Sequence, residues 1–128
     1  MGIDIYANWP SQTKAEAEAQ VTGFSIAHGH IGYLREAYHG EPYATRVLVP
    51  EAFDHEAHPD GARIPAETLR ERLPETLETA TRRQRLVYDE GPDNQNTRTV
   101  LKSFRGFVEL CERMERETGE PCTIRASY

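Results

Sequence analysis

Residues suited to binding a small molecule are concentrated in one stretch of the sequence, HGHIGYLREAYHGEPYATR, at positions 28–46. It holds three of the chain's five histidines, three of its six tyrosines and two of its arginines. Arginine and protonated histidine donate hydrogen bonds to anionic groups, and tyrosine rings stack on planar rings such as bases. This composition predicts a non-catalytic binding protein that holds a phosphorylated or otherwise anionic small molecule, for which a nucleotide is one candidate.

The glycines of this stretch suggest how an anion would be held. If a strand ends near His28 and a helix begins near Tyr33, then Gly29 and Gly32 flank a tight turn that exposes the free N–H groups of the helix. Arg35 and His39 would share one face of that helix. The predicted ligand-binding residues are His28, Gly29, His30, Gly32, Tyr33, Arg35, His39, Tyr43 and Arg46.

A metal site is the main alternative. His28 and His30 are two residues apart, so on a strand both imidazoles would lie on one face, with His39 or an acid of the DHEAH segment at 54–58 as a third ligand. A metal-assisted hydrolase would use such a pair. No recognised metal or nucleophile motif accompanies them, so we predict no bound metal, no cofactor and no catalytic residue.

Composition limits the partners and the setting. A net charge of -6 argues against binding to a nucleic acid polymer, and no apolar run is long enough to predict a membrane span. The first residues do not resemble a secretory signal, so we expect a cytoplasmic protein with reduced, partly buried thiols at Cys111 and Cys122. The length predicts a single domain over residues 1–128.

The first half of the chain contains several short candidate elements. Strict alternation over residues 2–9 predicts a half-buried strand, and the spacing of Thr13 and Glu16 predicts a capping box that opens a helix. We further expect strands at 22–28 and 43–50, one or two helical turns in YLREAYHG, and a surface loop at 51–61. These segments would position the predicted site residues.

The second half contains two longer helical patterns. Apolar residues recur at helical spacing after Pro65, where Pro74 should kink or split the helix, and again over residues 97–118. Arginines of the TRRQR segment should be solvated near the end of the first helix. A final strand follows. We therefore predict an α+β fold, with a small, largely antiparallel sheet whose terminal strands pair, packed against two long amphipathic helices. Those helices could instead present a protein-binding surface, and a homodimer is plausible.

The segments MGIDIYA and GHIGYLREAYHG, taken together, resemble a group of small bacterial and phage-type proteins without an assigned activity. The resemblance covers the first third of the chain best and carries no catalytic residue onto it. It implies a setting in which small acidic phage-type proteins act on host systems, some of them by sequestering nucleotide signals.

Overall fold

The computed structural model describes residues 2–22 and 31–128 of the chain. Within these residues, four strands and four α-helices follow one another, and the two long helices pack together. In chain order the elements are β1 (Gly2–Asn8), α1 (Lys14–Thr22), β2 (Tyr33–Ala37), α2 (Ala44–Leu48), β3 (Ala62–Arg63), α3 (Ala66–Tyr88), α4 (Gln95–Thr118) and β4 (Thr123–Ser127). The predicted α+β class is confirmed.

All the pairings in the sheet are antiparallel, and the strand order is β2-β1-β4-β3. The N-terminal strand therefore lies in the middle of the sheet and pairs with the C-terminal strand, as the sequence predicted. Tyr6 lies opposite both Tyr33 of β2 and Arg125 of β4, and Asp4 lies opposite Arg35. This register determines which side chains share a face of the sheet.

One face of the sheet is apolar and faces the helices. Ile3, Ile5 and Ala7 of β1 are fully buried, as their alternation predicted. They belong to the same core as the apolar stripe of α4, whose central residue Phe107 is also fully buried. Because alternate residues of a strand point to opposite sides, the residues between them line the other face, which we call the open face.

Two of the local predictions on either side of Gly40 are wrong. The segment predicted as helical turns is strand β2, and the segment predicted as a strand contains helix α2. Glu36 explains the exchange, because its buried carboxylate accepts hydrogen bonds from the backbone N–H groups of Ala44 and Thr45, at 2.8 and 2.9 Å, and from the Thr45 hydroxyl. This tertiary contact stabilises the start of α2 and leaves no sequence pattern of its own.

The helix-end predictions fare better. Thr13 and Glu16 form the predicted capping box. The Thr13 N–H donates to Glu16 Oε1, with an N–O distance of 2.8 Å, and the Glu16 N–H donates to Thr13 Oγ1 at 3.1 Å. Gly119 ends α4 in the left-handed conformation. In contrast, α3 continues through Pro74 as a single helix, so Pro74 does not split it.

The strand predicted at 22–28 lies outside the described residues except for Thr22, which ends α1. The loop predicted at 51–61 contains a 3-10 turn, Pro50–Phe53, and leads into the short strand β3, which the sequence did not reveal. Cys111 and Cys122 are both free and buried. No helix among the described residues is long and apolar enough to cross a membrane.

Candidate ligand-binding face

The residues predicted as one binding site are distributed over different parts of the fold. His28, Gly29 and His30 lie outside the described residues. Of the others, only Tyr33 and Arg35 are brought together on a strand, where both project from the open face of β2. The helix on which Arg35 and His39 were to share a face does not exist, so that part of the prediction is wrong.

Gly32 does not serve the predicted strand-to-helix turn. Its φ of +81° lies in the left-handed region, and a strand follows it. A Cβ added there would lie 2.8 Å from Gln20 Nε2 and 2.9 Å from Leu110 Cδ2. Glycine is therefore needed at this position for its conformation and for close packing, rather than for exposing helical N–H groups to an anion.

His39, Tyr43 and Arg46 make contacts that stabilise the fold. The His39 ring nitrogen Nδ1 lies 3.0 Å from the Tyr88 hydroxyl of α3. Tyr43 contacts the guanidinium of Arg83, whose carbon is 4.8 Å from the ring centroid. These two residues therefore connect the segment between β2 and α2 to helix α3.

Arg46 stacks elsewhere, with its guanidinium carbon 4.3 Å from the centroid of the Phe53 ring and 5.4 Å from that of Tyr128. This contact joins α2 to the 3-10 turn and to the last residue of the chain. Arg46 therefore does not converge with Tyr33 and Arg35 in the way the sequence prediction assumed.

Arg83 contradicts the prediction that the arginines of TRRQR are solvated. Its side chain is only 4% exposed and lies 3.8 Å from the carboxylate of Glu36, measured from Nε to Oε2. It also donates hydrogen bonds to the carbonyl oxygens of Ala37, Gly40 and Pro42. Arg83 is therefore a structural residue that holds the chain leaving β2 against α3.

The open face carries residues that the sequence prediction did not include. Register places Asp4, Tyr6 and Asn8 of β1 between Tyr33 and Arg35 of β2 on one side and Arg125 of β4 on the other. Arg35 and Arg125 are exposed, and the two tyrosines are half-buried. The alternation of polar and apolar residues in the first and last strands could have indicated Tyr6 and Arg125. Only the pairing of β1 with β2 and with β4, however, brings these two residues close to Tyr33.

Three side chains form a row across the strands. The ring centroids of Tyr6 and Tyr33 are 5.4 Å apart, with a tilt of 32° between the ring planes. On the other side of Tyr6, the guanidinium carbon of Arg125 lies 5.2 Å from the ring centroid, and Arg125 Nε donates a 2.9 Å hydrogen bond to Asn8 Oδ1. The row thus presents two aromatic rings beside one positive charge.

Asp4 orients two neighbours with one carboxylate oxygen. Its Oδ1 accepts a 2.7 Å hydrogen bond from Arg35 Nη1 and a 2.6 Å hydrogen bond from the Tyr33 hydroxyl. Partial burial, with the bond to the Asp4 carboxylate, raises the pKa of Tyr33 to about 12, and the bond to Asp4 raises the pKa of Arg35. Arg35, Arg125 and Asp4 together carry a formal charge of +1, in a chain whose net charge is -6.

A cavity of about 330 Å³ lies between α4 and the edge of β2 that points away from β1. Tyr33 and Arg35 line it from β2, and Val100, Ser103 and Phe104 line it from α4. Its volume is at the lower end of the range found for small-molecule sites. Because Leu34 also lines it and faces the helices, the cavity lies on the helix side of the sheet.

A second cavity, of about 280 Å³, lies near Arg125 and is lined by His55 and His58 of the segment that was considered as a source of a third metal ligand. His55 Nε2 is 3.2 Å from the carbonyl oxygen of Ala126. Within residues 2–22 and 31–128, no three histidine, cysteine, aspartate or glutamate side chains are grouped so that they could hold a metal ion.

Ionisation of Tyr33 provides a test of this geometry. The pKa of Tyr33 is raised above its ordinary value of 10.0, so its contribution to stability is complete below pH 10 and is lost as the pH rises through about 12. In an ultraviolet titration of the phenols, we expect Tyr33→Phe to remove a component with a midpoint near pH 12, and Asp4→Asn to move that component to lower pH. A high-pH curve that is the same in all three proteins would contradict the shared hydrogen bond.

Comparison of the chain with models of known protein families, with curated proteins and with solved structures gave no match.

Proposed function

We propose that the chain is a non-catalytic binding protein whose open face holds a small molecule that combines a planar ring with an anionic group, such as a nucleotide. The row of Tyr33, Tyr6 and Arg125 across three strands is the observation that carries this proposal. It keeps the ligand class that the sequence predicted, but it moves the site from the glycine turn to the sheet.

The tyrosines would receive the planar ring. Both rings are half-buried and in contact with each other, so little conformational freedom remains for a ligand to restrict. Stacking of a base on an aromatic side chain contributes about 1–3 kcal/mol. A partly exposed tyrosine pair on a sheet is suited to that contact.

The arginines would receive the anionic group. Arg35 and Arg125 flank the tyrosine pair, and each is already oriented by a neighbour, Asp4 for the first and Asn8 for the second. A guanidinium that is held in place loses less entropy when it binds phosphate, and its paired N–H groups match two phosphate oxygens. The local positive charge would favour an anion against the acidic background of the chain.

The state of Tyr33 does not suit it to act as a nucleophile or a base. A tyrosine that acts as a nucleophile or base needs a lowered pKa, whereas the environment of Tyr33 raises it to about 12. Its hydroxyl also donates to Asp4 and is therefore engaged. The hydrolase alternative would need His28 and His30, which lie outside the described residues.

Calorimetry with AMP, adenosine and inorganic phosphate tests the proposal. We expect AMP to bind more tightly than adenosine or phosphate, because only AMP engages the rings and the arginines together. Tyr6→Leu and Arg125→Gln should each weaken AMP binding about tenfold or more. Tyr88→Leu and Arg98→Gln, which change a tyrosine and an exposed arginine outside the open face, are the matched controls and should bind AMP as the unchanged protein does.

The pH dependence separates this site from a histidine site. Arginines stay charged, so AMP affinity should not fall between pH 6.5 and 8.5 once ionisation of the phosphate, at about pH 6, is taken into account. A histidine that donates as imidazolium would make the affinity fall with rising pH. Absence of binding to all three probes, or a falling curve that His28→Gln or His30→Gln abolishes, would overturn the proposal.

A further inference from the structure

We infer that two copies of the chain pair through the outer edges of their β2 strands, with Leu34 of each copy at the twofold axis, so that the partner's Arg35 lies beside Tyr33. The inference deepens the proposed function and rests on it for the role of that arginine. The pairing itself rests on the backbone groups of β2 that point away from β1.

The hydrogen bonds of β1 show which backbone groups of β2 point outward. Ala7 N–H donates to the carbonyl of Gly32 at 2.8 Å, and the register continues with Ile5 opposite Leu34. In an antiparallel pair, bonded and non-bonded positions alternate, so Gly32, Leu34 and Glu36 bond to β1. The N–H and C=O groups of Tyr33, Arg35 and Ala37 therefore face the outer edge, where no strand among residues 2–22 and 31–128 is paired with them.

These free groups select one register. The carbonyl of Ala37 is already an acceptor, because Arg83 Nη2 donates to it at 2.5 Å. Tyr33 and Arg35 remain, and a twofold axis at Leu34 places Tyr33 of each copy opposite Arg35 of the other. Each such pair exchanges two backbone hydrogen bonds, so all four free groups of both residues find a partner.

The neighbouring registers are less favourable. An axis at Arg35 would place two like charges directly opposite each other, which is destabilising, and would require the occupied carbonyl of Ala37. An axis at Tyr33 would pair Arg35 with Ile31, whose carbonyl accepts a 2.6 Å hydrogen bond from Gln20 Nε2. The register at Leu34 is also complementary, because each tyrosine ring faces a guanidinium.

The cavity beneath this edge supports a second copy as the occupant. It is lined by Val100 together with Phe104 and Leu34, which are largely buried. A strand edge that no strand of residues 2–22 and 31–128 covers invites pairing with another strand. A second β2 strand, with its own Leu34 at the axis, would cover that edge in both copies at once.

The dimer would complete the proposed site. Its two sheets join into one, and the row on the open face becomes Arg125, Tyr6, Tyr33 and then the partner's Arg35. A ring stacked on the tyrosines would lie between two guanidinium groups, one from each copy. We therefore expect two equivalent sites per dimer.

Light scattering after size-exclusion chromatography, without ligand, tests the pairing. The unchanged protein should have twice the chain mass of 14.6 kDa. Arg35→Pro removes the outward N–H without removing a bond to β1, and it should give a folded monomer. Arg35→Gln removes the charge and keeps the N–H, and it should remain a dimer. A monomer for the unchanged protein at every concentration would overturn the inference.

Cross-linking tests the register and does not depend on Arg35→Pro folding. Tyr33→Cys and Arg35→Cys chains are mixed and oxidised with glutathione disulfide. A bonded antiparallel pair has a Cα separation of about 5.5 Å, which a disulfide spans, whereas residues offset by two lie about 7–8 Å apart. The mixture should cross-link, and neither variant alone should do so. The native cysteines Cys111 and Cys122 are buried, so we do not expect them to cross-link the two chains.

A mixture of Tyr33→Cys with Arg98→Cys, an exposed position on α4, is the control and should stay uncross-linked. Equal cross-linking in all mixtures, or none in any, would overturn the Leu34-centred register. Both experiments are done without ligand, so a dimer that binds no AMP would reject the proposed function alone. AMP binding by a protein that remains monomeric would reject the dimer alone.

Discussion

Replacing Arg83 by methionine should lower the free energy of unfolding by about 3–5 kcal/mol, because the change leaves a buried carboxylate without its counter-charge. Glu36 is only 6% exposed in its side chain, and Arg83 is the cation that lies against it. The substitution also removes donors from the carbonyl groups of Ala37 and Gly40. Methionine fills much of the same space, so the loss would report charge and hydrogen bonding rather than a large cavity.

Urea unfolding measures this effect, and Arg82→Met is the matched control. Arg82 precedes Arg83 on the same helix but is exposed, so its loss should change stability by about 0.5 kcal/mol or less. A decrease below about 1 kcal/mol for Arg83→Met would show that the pair is not the buried contact described above.

Replacing Phe107 by alanine should also lower the free energy of unfolding by about 3–5 kcal/mol. Phe107 is fully buried at the centre of the apolar stripe of α4, in the core that includes Ile5 and Ile124. Truncation loses the transfer free energy of the ring and leaves a cavity that the surrounding strands and helices fill only in part.

Leu86→Ala is the control for this second substitution, because Leu86 is 66% exposed and its truncation leaves no cavity. We expect the two variants to differ by about 3 kcal/mol or more in chemical unfolding. Equal losses would mean that Phe107 does not occupy the core, and that α4 does not support the sheet through this side chain.

The parts of the fold that the sequence revealed have patterns of their own. Alternation in the first and last strands, the apolar stripe of α4 and the capping box of α1 each combine local geometry with burial, so residue spacing is enough to identify them. The segment from Tyr33 to Leu48 has no such pattern. Its structure depends on Glu36 bonding to α2 and on Arg83 from α3, and both contacts join residues that are distant in sequence.

The candidate site divides in the same way. The residue types near Tyr33 and Arg35 correctly indicated this segment as part of the site. The sequence predicted it to be a helix, however, and it is strand β2. Tyr6 and Arg125 were missed because only the pairing of β1 with β2 and β4 brings them to Tyr33. The concentration of histidine, tyrosine and arginine in residues 28–46 indicated the segment that contains Tyr33 and Arg35. The same segment also contains His39, Tyr43 and Arg46, whose contacts connect helices and turns.

A titration with AMP, followed by ¹H–¹⁵N correlation spectra of the unchanged protein, tests the binding face most directly. We expect the largest shifts on amides of β1, β2 and β4 near Tyr6, Tyr33 and Arg125, with little change near Arg46 or His39. Shifts confined to those two residues or to residues 28–30, or no shifts at saturating AMP, would contradict the claim that the open face is the binding site.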